Sequence, residues 1–468
     1  MHVNQKKNNE GRIETGHLKS SVLLIAVISA FLTPFMGSAI NLALPAIGLQ
    51  FEADAVLLGW VATSYLLSSA VFLVPFGRLA DIYGRRKVFL LGMIIFSIAS
   101  FLTAFSPGIY FLLACRVFQG MGSAMIFATG LAIVTSVFPP EERGKAIGFT
   151  IASVYAGLSF GPFAGGLLTE YLGWKSIFIT TALMGSLGIW LLIRRIRGEW
   201  AEAAGEPFDL YGSLIYGLSL FSLIFGFSLL PAASGFVFLI AGAAGLIMFI
   251  FFELRNPFPV MQLGLFRNNT VFAFSNLAAF INYSATFAVA FILSLYLQYI
   301  KDYSPRDTGM ILLAQPVFMA IVSPLAGRLS DRIEPRFLAT AGMAITSAGL
   351  FLLVFINSMG MPVLILTLIL LGIGFGLFSS PNSNAIMSAV MKKYYGIASG
   401  TMGTMRLLGQ MFSMGIVMLI LSLFIGREPV GVENAGYFLK SMQVAFGLFF
   451  VLCFFGIFAS YARGKIHQ

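Results

Sequence analysis

The sequence predicts an all-α polytopic membrane protein, and three observations point to that class. First, 58% of the 468 residues are apolar and only 10% are charged, whereas a soluble protein carries about 25% charged residues. Second, the mean hydropathy is +0.90, and the apolar residues lie in runs near the roughly 20 residues that span a bilayer. Third, these runs are apolar on all sides, as in membrane helices, and do not alternate as barrel strands do. This composition excludes a soluble enzyme of two or three domains.

Fourteen apolar segments follow one another along the chain, each long enough for one membrane-spanning helix. The first run has no small-residue cleavage site after it, so it predicts a retained span and not a signal peptide. The predicted spans are 21–43, 56–76, 88–106, 109–137, 146–168, 175–193, 210–230, 234–252, 271–299, 309–326, 337–356, 362–384, 397–425 and 439–461.

The basic residues predict how these spans are oriented. With the N-terminus inside, the inner tails and loops contain 22 of the 29 Lys and Arg residues, and the outer loops contain five. The other two, Arg116 and Arg406, fall within spans. Because short cytoplasmic loops carry an excess of Lys and Arg, we expect a multi-pass protein of the cell membrane with both termini in the cytoplasm. The net charge of +10 is thereby attributed to topology and not to nucleic-acid binding.

An internal repeat predicts how the spans are grouped. The block Gly77-Arg78-Leu79-Ala80-Asp81 recurs 250 residues later as Gly327-Arg328-Leu329-Ser330-Asp331. Two six-helix halves separated by an inserted pair of helices would produce this offset, and parallel repeats of this kind occur in transporters. The predicted parts are a cytoplasmic tail (1–20), an N-terminal half (21–193), a cytoplasmic linker (194–209), the inserted pair (210–252), a C-terminal half (253–461) and a second cytoplasmic tail (462–468).

Several motifs occur together in the chain. They are GRLADIYGRR at 77–86, RVFQG at 116–120, AGLSFGPFAGG at 156–166, PNSNAIM at 381–387 and RLLGQ at 406–410. In this order they resemble the motifs of the major facilitator superfamily, and with fourteen spans the chain resembles its drug:proton antiporter branch. The resemblance covers nearly the whole chain beyond the N-terminal tail. It implies the major facilitator fold, with two six-helix halves plus two inserted helices, and transport of a small organic solute by alternating access.

The first motif is interpreted as a gating loop between spans 2 and 3. A carboxylate near a helix end can pair with guanidinium groups, lock two helices together and release them when the halves rock. The alternative is that these charges only set the topology. For Arg78 and Lys87 the sequence favours neither interpretation over the other. The candidate gating residues are Gly77, Asp81, Gly84, Arg85 and Arg86, with Gly327 and Asp331 in the second copy.

Polar residues inside the spans are candidates for a solute cavity. An arginine in the middle of a span costs about 2.5–3.5 kcal/mol on insertion scales, so Arg116 and Arg406 should face a cavity or a partner. Gln119 lies one turn after Arg116, and Gln410 one turn after Arg406. The alternative for both arginines is a structural role. The other candidates are the amides Asn41, Asn276, Asn282, Asn382 and Asn384, each of which could instead make an ordinary hydrogen bond between helices.

A repeat of glycines in span 5 predicts a helix-packing surface. Gly157, Gly161 and Gly165 recur every four residues and therefore share one helix face. Small residues let neighbouring backbones approach closely, and Pro162 adds a kink within that face. We expect this surface to form a pliable contact between the two halves.

The chain departs from the antiporter branch at one position. The end of span 1 in that branch reads Leu-Asp-x-Thr, and here Met36 stands where the acid is expected. All 19 acidic residues fall in tails, loops or span ends, and the three histidines lie in the tails. A proton-coupled carrier usually needs a titratable group in its cavity. The departure therefore favours a neutral or anionic solute and transport without proton coupling through a central carboxylate, although Asp81, Asp209 or Glu253 could substitute if buried.

Two functions follow from these observations. The resemblance favours efflux of amphiphilic drugs or toxic compounds of the multidrug-resistance type. The missing acid favours the alternative, facilitated transport or uptake of an aromatic, riboflavin-like vitamin. A third reading from another class, a polytopic sensor or enzyme, has no soluble signalling or catalytic domain to support it. ATP drive is not expected, since no G-x-x-x-x-G-K-[ST] motif occurs.

The expected partners are few. We expect a small-molecule substrate, the lipid bilayer and a monomeric state, with no nucleic acid, no cofactor and no metal site. Protons stay open as the coupling ion. The two cysteines, Cys115 and Cys453, lie in apolar runs and predict no disulfide.

Overall fold

The computed structural model describes residues 2–261, 263–330, 332–391, 395–426 and 432–464. Fourteen helices in these ranges are long and apolar enough to cross a membrane, so the predicted all-α architecture with fourteen spans is confirmed. The first eight are α1 (His2–Phe51), α2 (Ala55–Tyr83), α3 (Arg85–Ala104), α4 (Ile109–Val137), α5 (Pro140–Leu172), α6 (Lys175–Arg195), α7 (Leu210–Leu229) and α8 (Ala233–Glu253). The last six are α9 (Thr270–Ile300), α10 (Pro305–Ser330), α11 (Pro335–Leu353), α12 (Met361–Ser388), α13 (Tyr395–Phe424) and α14 (Ala435–Ala462).

Polar residues and prolines fix where several of these helices begin. The side chain of Asp54 accepts a hydrogen bond from the Leu57 amide at the start of α2, and Asn269 does the same for Phe272 at the start of α9. Such N-caps satisfy amides that have no partner within the helix. Proline occupies the first turn of α5, α10, α11 and α12, where its missing N–H costs nothing.

The helices form two groups with the same internal contacts. In the first group, α1 packs on α5 and α6, α3 on α4 and α6, and α2 on α4. In the second group, α9 packs on α13 and α14, α11 on α12 and α14, and α10 on α12. Each contact therefore recurs when every helix number is raised by eight. Among the contacts between the two groups, those of α2 with α13 and of α5 with α10 are equivalent.

The remaining helices, α7 and α8, lie outside both groups. They pack against each other through small residues: a methyl group added at Gly226 would lie 3.0 Å from the carbonyl oxygen of Gly235. α7 also contacts α2 and α13, beside the junction of the two groups. Only 17% of the most apolar part of α8 is buried, so α8 exposes most of its apolar surface. We call α7 and α8 the inserted pair.

The two ends of the bundle differ in charge. One end contains the α2–α3 turn at Gly84, the segment 196–209 between α6 and α7, and Arg463, and we call it the basic end. The opposite end contains the turns at 52–54, 105–108, 173–174 and 301–304.

Candidate functional site

At the opposite end, α1 and α9 of the two groups are joined by hydrogen bonds to backbone carbonyls. Pro45 has no amide hydrogen, so the carbonyl of Asn41, four residues earlier, lacks its usual helical partner. Ser294 Oγ donates to that carbonyl at 2.6 Å, and Tyr299 Oη donates to the Pro45 carbonyl at 3.2 Å. The side chain of Asn41 is nearly buried. Pro45 thus leaves the Asn41 carbonyl available to Ser294, and the resulting hydrogen bond joins α1 to α9 at this end.

The contact between α5 and α10 also lies toward the opposite end. A methyl group at Gly166 would lie 2.5 Å from the Pro305 carbonyl oxygen, and one at Gly309 would collide with the Pro162 carbonyl oxygen. Ser159 Oγ donates to the Pro316 carbonyl at 3.1 Å. These contacts close the space between the two groups at the opposite end.

The glycine face of α5 has a different neighbour from the one expected. Added methyl groups at Gly157 and Gly161 would meet the carbonyl oxygens of Phe31 and Phe35, and one at Gly165 would lie 2.8 Å from Ala39 Cα. The face therefore packs on α1 of the same group. The contact between the groups uses the next face of α5, at Pro162 and Gly166, because these residues lie one residue further round the helix. The expectation that the glycine face forms the contact between the halves is therefore wrong, because the neighbouring face of α5 forms that contact.

A hydroxyl contact joins the groups near the middle of α5. Tyr155 Oη lies 3.2 Å from Ser379 Oγ of α12, and Ser323 Oγ of α10 lies 3.4 Å from the same atom. These residues were not among the sequence candidates. A tyrosine two residues before the first glycine of a motif and two serines within apolar spans carry no signal that distinguishes them from other polar residues in spans.

Arg116 is fully buried between helices of the first group. Its Nε donates to the Val61 carbonyl at 2.9 Å, its Nη1 donates to Gln119, and its guanidinium lies 4.4 Å from the centre of the Tyr65 ring. Gln119 in turn donates to Ser100 Oγ at 2.7 Å. One nitrogen, Nη2, has no partner among the described residues. The arginine thus links α2, α3 and α4 and has no exposed surface in this conformation.

Arg406 is placed differently, on α13, the helix of the second group that packs on α2 of the first group. Its guanidinium lies 5.4 Å from the centre of the Tyr283 ring, and that ring packs edge-on against Phe375 at 5.4 Å. Arg406 is partly exposed, and no described carboxylate lies within 4.0 Å of it. One turn along the helix, Gln410 is nearly buried. Of the two arginines, Arg116 has no exposed surface and Arg406 has some.

The four amides of the second group separate into two kinds. Asn276 and Asn282 of α9 are fully buried. Asn276 donates to its own helix, whereas neither side-chain atom of Asn282 has a partner among the described residues. Asn382 donates to the Ser275 carbonyl at 3.1 Å, and Asn384 donates to Ser330 Oγ at 2.9 Å. The last two therefore tie α12 to α9 and α10.

Asn382 also accepts a hydrogen bond from Arg463 Nη1 at 2.8 Å. Arg463 has no exposed surface, and its Nε donates to the Ser460 carbonyl at 2.7 Å. Burial lowers the pKa of Arg463 to about 10, so the guanidinium stays charged. The sequence assigned this arginine to the C-terminal tail. Its burial beside Asn382 at the basic end could not be read from a single charge after the last apolar run.

The predicted gating loop forms a network at the basic end. Arg85 donates from Nε to Asp81 Oδ1 at 2.9 Å and from Nη1 to Ser136 Oγ at 2.7 Å, so it ties α2 and α3 to α4. Gly84 has a φ of +118°, which a side chain rarely adopts. Gly77 lies against Ala128 of α4. In the second copy, Gly327 lies against Ser380, and Asp331 lies outside the described residues.

The linker between α6 and α7 completes this network with three acidic residues. Glu202 accepts from Arg85 Nη1 at 2.7 Å, Glu206 pairs with Arg78, and Glu199 accepts from the Arg86 amide at 2.8 Å. Two backbone hydrogen bonds add to them, including one of 2.9 Å from the Ala203 amide to the Asp81 carbonyl. The sequence identified the loop and the linker separately. Their contact brings together residues more than 100 positions apart and has no local signal.

Met36, at the position where the resemblance expects an acid, is fully buried. Thr181 Oγ1 of α6 lies 3.5 Å from its sulfur. The side chain of Met36 therefore packs against α6 and has no exposed surface.

The sequence of this chain matches a family model and is similar to known transporters. A model of the Major Facilitator Superfamily matches residues 26–265 and 276–465. The riboflavin transporter RibZ of Clostridioides difficile (strain 630) is 34% identical over 391 residues, which cover 82% of this chain and 84% of RibZ. The multidrug resistance protein Stp of Mycobacterium tuberculosis (strain CDC 1551 / Oshkosh) is 32% identical over 398 residues, or 83% of this chain and 74% of Stp.

A solved structure shares the fold. The bacterial homologue of the human lysosomal transporter Spinster aligns with a TM-score of 0.66 at 17% identity, covering 95% of this chain and 97% of that one. At this identity the likeness concerns the fold alone. The family model, the relatives and the repeated helix contacts agree with the motifs in the sequence: the chain belongs to the major facilitator superfamily of membrane transporters.

Proposed function

We propose that the chain transports an aromatic solute without positive charge, of the riboflavin type, across the cell membrane by alternating access. In this proposal, α1–α6 and α9–α14 are the two halves that rock, and the solute binds between them. The predicted boundaries of the halves, at 21–193 and 253–461, are retained as part of the proposal. The protein acts as a monomer, and its basic end, with both termini, faces the cytoplasm.

The observation that supports this solute class most directly is the surroundings of Arg406. A guanidinium over the Tyr283 ring can stack on a planar solute and donate paired hydrogen bonds to its carbonyl or carboxylate oxygens. It would repel a cationic dye. All 19 acidic residues lie in tails, loops or helix ends, so no carboxylate stands in mid-membrane to attract such a dye. The identity to RibZ supports the same class.

The contacts between the halves support a pathway that opens toward the basic end. The hydrogen bonds of Ser294 and Tyr299 and the close approach of Gly166 to Pro305 all lie toward the opposite end. The Tyr155–Ser379 contact lies in the middle and could act as a pivot. Transport then requires that the contacts at the opposite end break while new ones form at the basic end.

Replacing Arg406 by glutamine is expected to reduce riboflavin exchange in proteoliposomes by about tenfold or more, which corresponds to the loss of at least 1.4 kcal/mol of binding. Arg267 of the short helix Gly264–Asn268 is exposed, so Arg267→Gln removes the same charge outside the spanning helices and serves as the control. The measurement is the initial rate of labelled riboflavin exchange. Equal rates in the wild type and Arg406→Gln would contradict the assignment of Arg406.

Efflux of amphiphilic drugs is the second candidate function. The identity to the multidrug resistance protein Stp favours it, as does the glycine motif of α5, which resembles that of drug exporters. The two candidates differ in their predictions for a cationic dye such as ethidium. Expression that lowers ethidium accumulation in intact cells, with no saturable riboflavin exchange in proteoliposomes, would favour efflux over the riboflavin-type proposal.

A further inference from the structure

Two carboxyl groups meet where the linker joins the inserted pair. Asp209, the last linker residue, caps α7: its Oδ1 accepts from the Gly212 amide at 2.8 Å, and its Oδ2 accepts from Asn256 Nδ2 at 2.7 Å. Glu253 is the last residue of α8, and its Oε2 accepts from the Met261 amide at 3.1 Å. Three of the four carboxyl oxygens therefore already have N–H donors.

The fourth oxygen, Glu253 Oε1, has no donor among the described residues. Glu253 is only 3% exposed and Asp209 only 9%, so bulk water does not supply one. A methyl group at Gly212 would lie 2.5 Å from Glu253 Oε1 and would also collide with Asp209 Oδ2. The two oxygens therefore line the same side of Gly212 and lie close to each other.

We propose that Glu253 and Asp209 form a proton-binding site in which the two carboxyl groups share one proton. Two carboxylate oxygens cannot hydrogen-bond to each other without a proton between them, and two buried like charges this close do not both ionise. The shared proton gives Glu253 Oε1 its missing partner. Because the groups are coupled, the proton belongs to the pair and not to either residue alone.

The charged groups around the pair do not offset a second negative charge. Glu206, three residues before Asp209 on the linker, is already paired with Arg78 of α2. Arg255, two residues after Glu253, has an exposed side chain. Tyr216 of α7 donates its hydroxyl to the Ala70 carbonyl of α2 at 3.2 Å and is not free for the pair. No described Lys or Arg lies within 4.0 Å of Glu253 or Asp209.

The atoms around the two carboxyl groups suit a proton better than a metal ion. Na⁺ or Ca²⁺ would need five or more oxygen ligands, and here the neighbours of the carboxyl oxygens are N–H groups. No group of three or more His, Cys, Asp or Glu that could hold a metal was found among the residues described. A cavity of about 690 Å³ is lined by Asp209 and Asn256 at the basic end. It offers a route by which a proton can reach the pair.

The site connects the inserted pair to the gating loop. The segment that ends at Asp209 is the same one whose Glu199, Glu202 and Glu206 hold the α2–α3 turn. Loss of the shared proton would leave two adjacent negative charges and push Asp209 away from Glu253. The linker would then be held less tightly. This inference does not depend on which solute is transported.

The purified full-length protein tests the site without any transport assay. We expect the infrared difference spectrum between mildly acidic and mildly alkaline pH to contain the carbonyl band of a protonated carboxyl group, and Glu253→Gln to remove it. We also expect the melting temperature of the wild type to fall over this pH range, because the native state binds the proton more tightly than the unfolded chain and loses that stabilisation as the pH rises. In Glu253→Gln the amide donates to Asp209 at every pH, so this dependence should flatten.

Glu170→Gln is the matched control, since Glu170 is exposed near the opposite end; it should keep the band and the wild-type dependence on pH. Asp209→Asn provides a second variant if Glu253→Gln does not fold, and it should also flatten the dependence. A band that persists in both variants would overturn the proposal. So would a melting temperature that responds to Na⁺ at fixed pH while the wild type lacks the carboxyl band. Because no solute is present, a failed riboflavin assay would leave these results unaffected.

Discussion

Replacing Gly161 by leucine is expected to abolish transport. In the structure a side chain at this position would meet the Phe35 carbonyl oxygen at 3.0 Å and would collide with Ser38 of α1. Neither atom belongs to a flexible side-chain end that could move away, since the carbonyl is backbone and Ser38 Oγ is held by the Pro34 carbonyl at 3.1 Å. Overpacking of this kind typically costs about 1–3 kcal/mol. Here it would also displace α5, which carries the contact with the other half at Pro162 and Gly166.

The control for this substitution is on the same helix. Gly148 has nothing within 4 Å of an added methyl group and is exposed, so Gly148→Leu adds the same volume without a clash. We expect solute exchange in proteoliposomes to be lost in Gly161→Leu and retained in Gly148→Leu at equal amounts of inserted protein. Full activity of Gly161→Leu would mean that α1 and α5 separate during transport and that their close packing is not required.

Replacing Arg85 by alanine is expected to reduce transport by at least about tenfold while membrane insertion stays normal. Arg85 joins Asp81, Ser136 and Glu202, and its side chain is only 10% exposed. Its removal therefore breaks the side-chain link from the α2–α3 turn to Ser136 of α4 and one of the ion pairs between this turn and the linker. Asp81→Asn should have a smaller effect, because Arg85 keeps its contacts with Ser136 and Glu202. The measurement is the rate of solute exchange per inserted molecule.

The control for Arg85 is the exposed Lys87 in the same loop. Lys87→Ala removes one positive charge from the basic end and should leave the rate unchanged. If Arg85→Ala and Lys87→Ala reduce insertion equally and neither changes the rate, the loop serves topology alone.

The exposure of Glu202, whose side chain is 69% accessible, predicts a modest effect of Glu202→Gln on the exchange rate, since exposed ion pairs contribute little.

The fourteen spans could be predicted because membrane helices have a local signal. About 20 consecutive apolar residues are sufficient to identify each one, and the repeat of Gly77–Asp81 at Gly327 indicated two equivalent halves. The repeated helix contacts have the same symmetry. The start of several helices was also local information, since Asp54 and Asn269 are N-cap residues directly before apolar runs.

The contacts between distant segments could not be predicted in the same way. The acids of the linker were recognised, but their pairing with Arg78 and Arg85 depends on how the linker folds back over the α2–α3 turn. The glycine face of α5 was recognised as a packing surface, whereas its neighbour depended on the rotation of α5 about its axis. Arg463 shows the same limit, because its burial depends on a pocket formed by α12 and α14.

At position 36 the sequence identifies the residue, and only the structure gives its surroundings. The sequence shows that an expected acid is missing, and the structure adds that this position is packed against Thr181. A carboxylate there would be buried without a cation or an N–H donor among the contacts found. The position is therefore suited to an apolar side chain in this protein, which agrees with transport that does not use a carboxylate at this point of α1.

We propose that an aromatic solute without positive charge crosses between the two halves and is not driven by protons through a central carboxylate. The measurement is riboflavin movement in proteoliposomes with an imposed pH gradient and the membrane potential clamped. We expect riboflavin to equilibrate down its own gradient and to reach the same final distribution with and without the pH gradient. Accumulation against the riboflavin gradient that collapses on addition of a protonophore would contradict it.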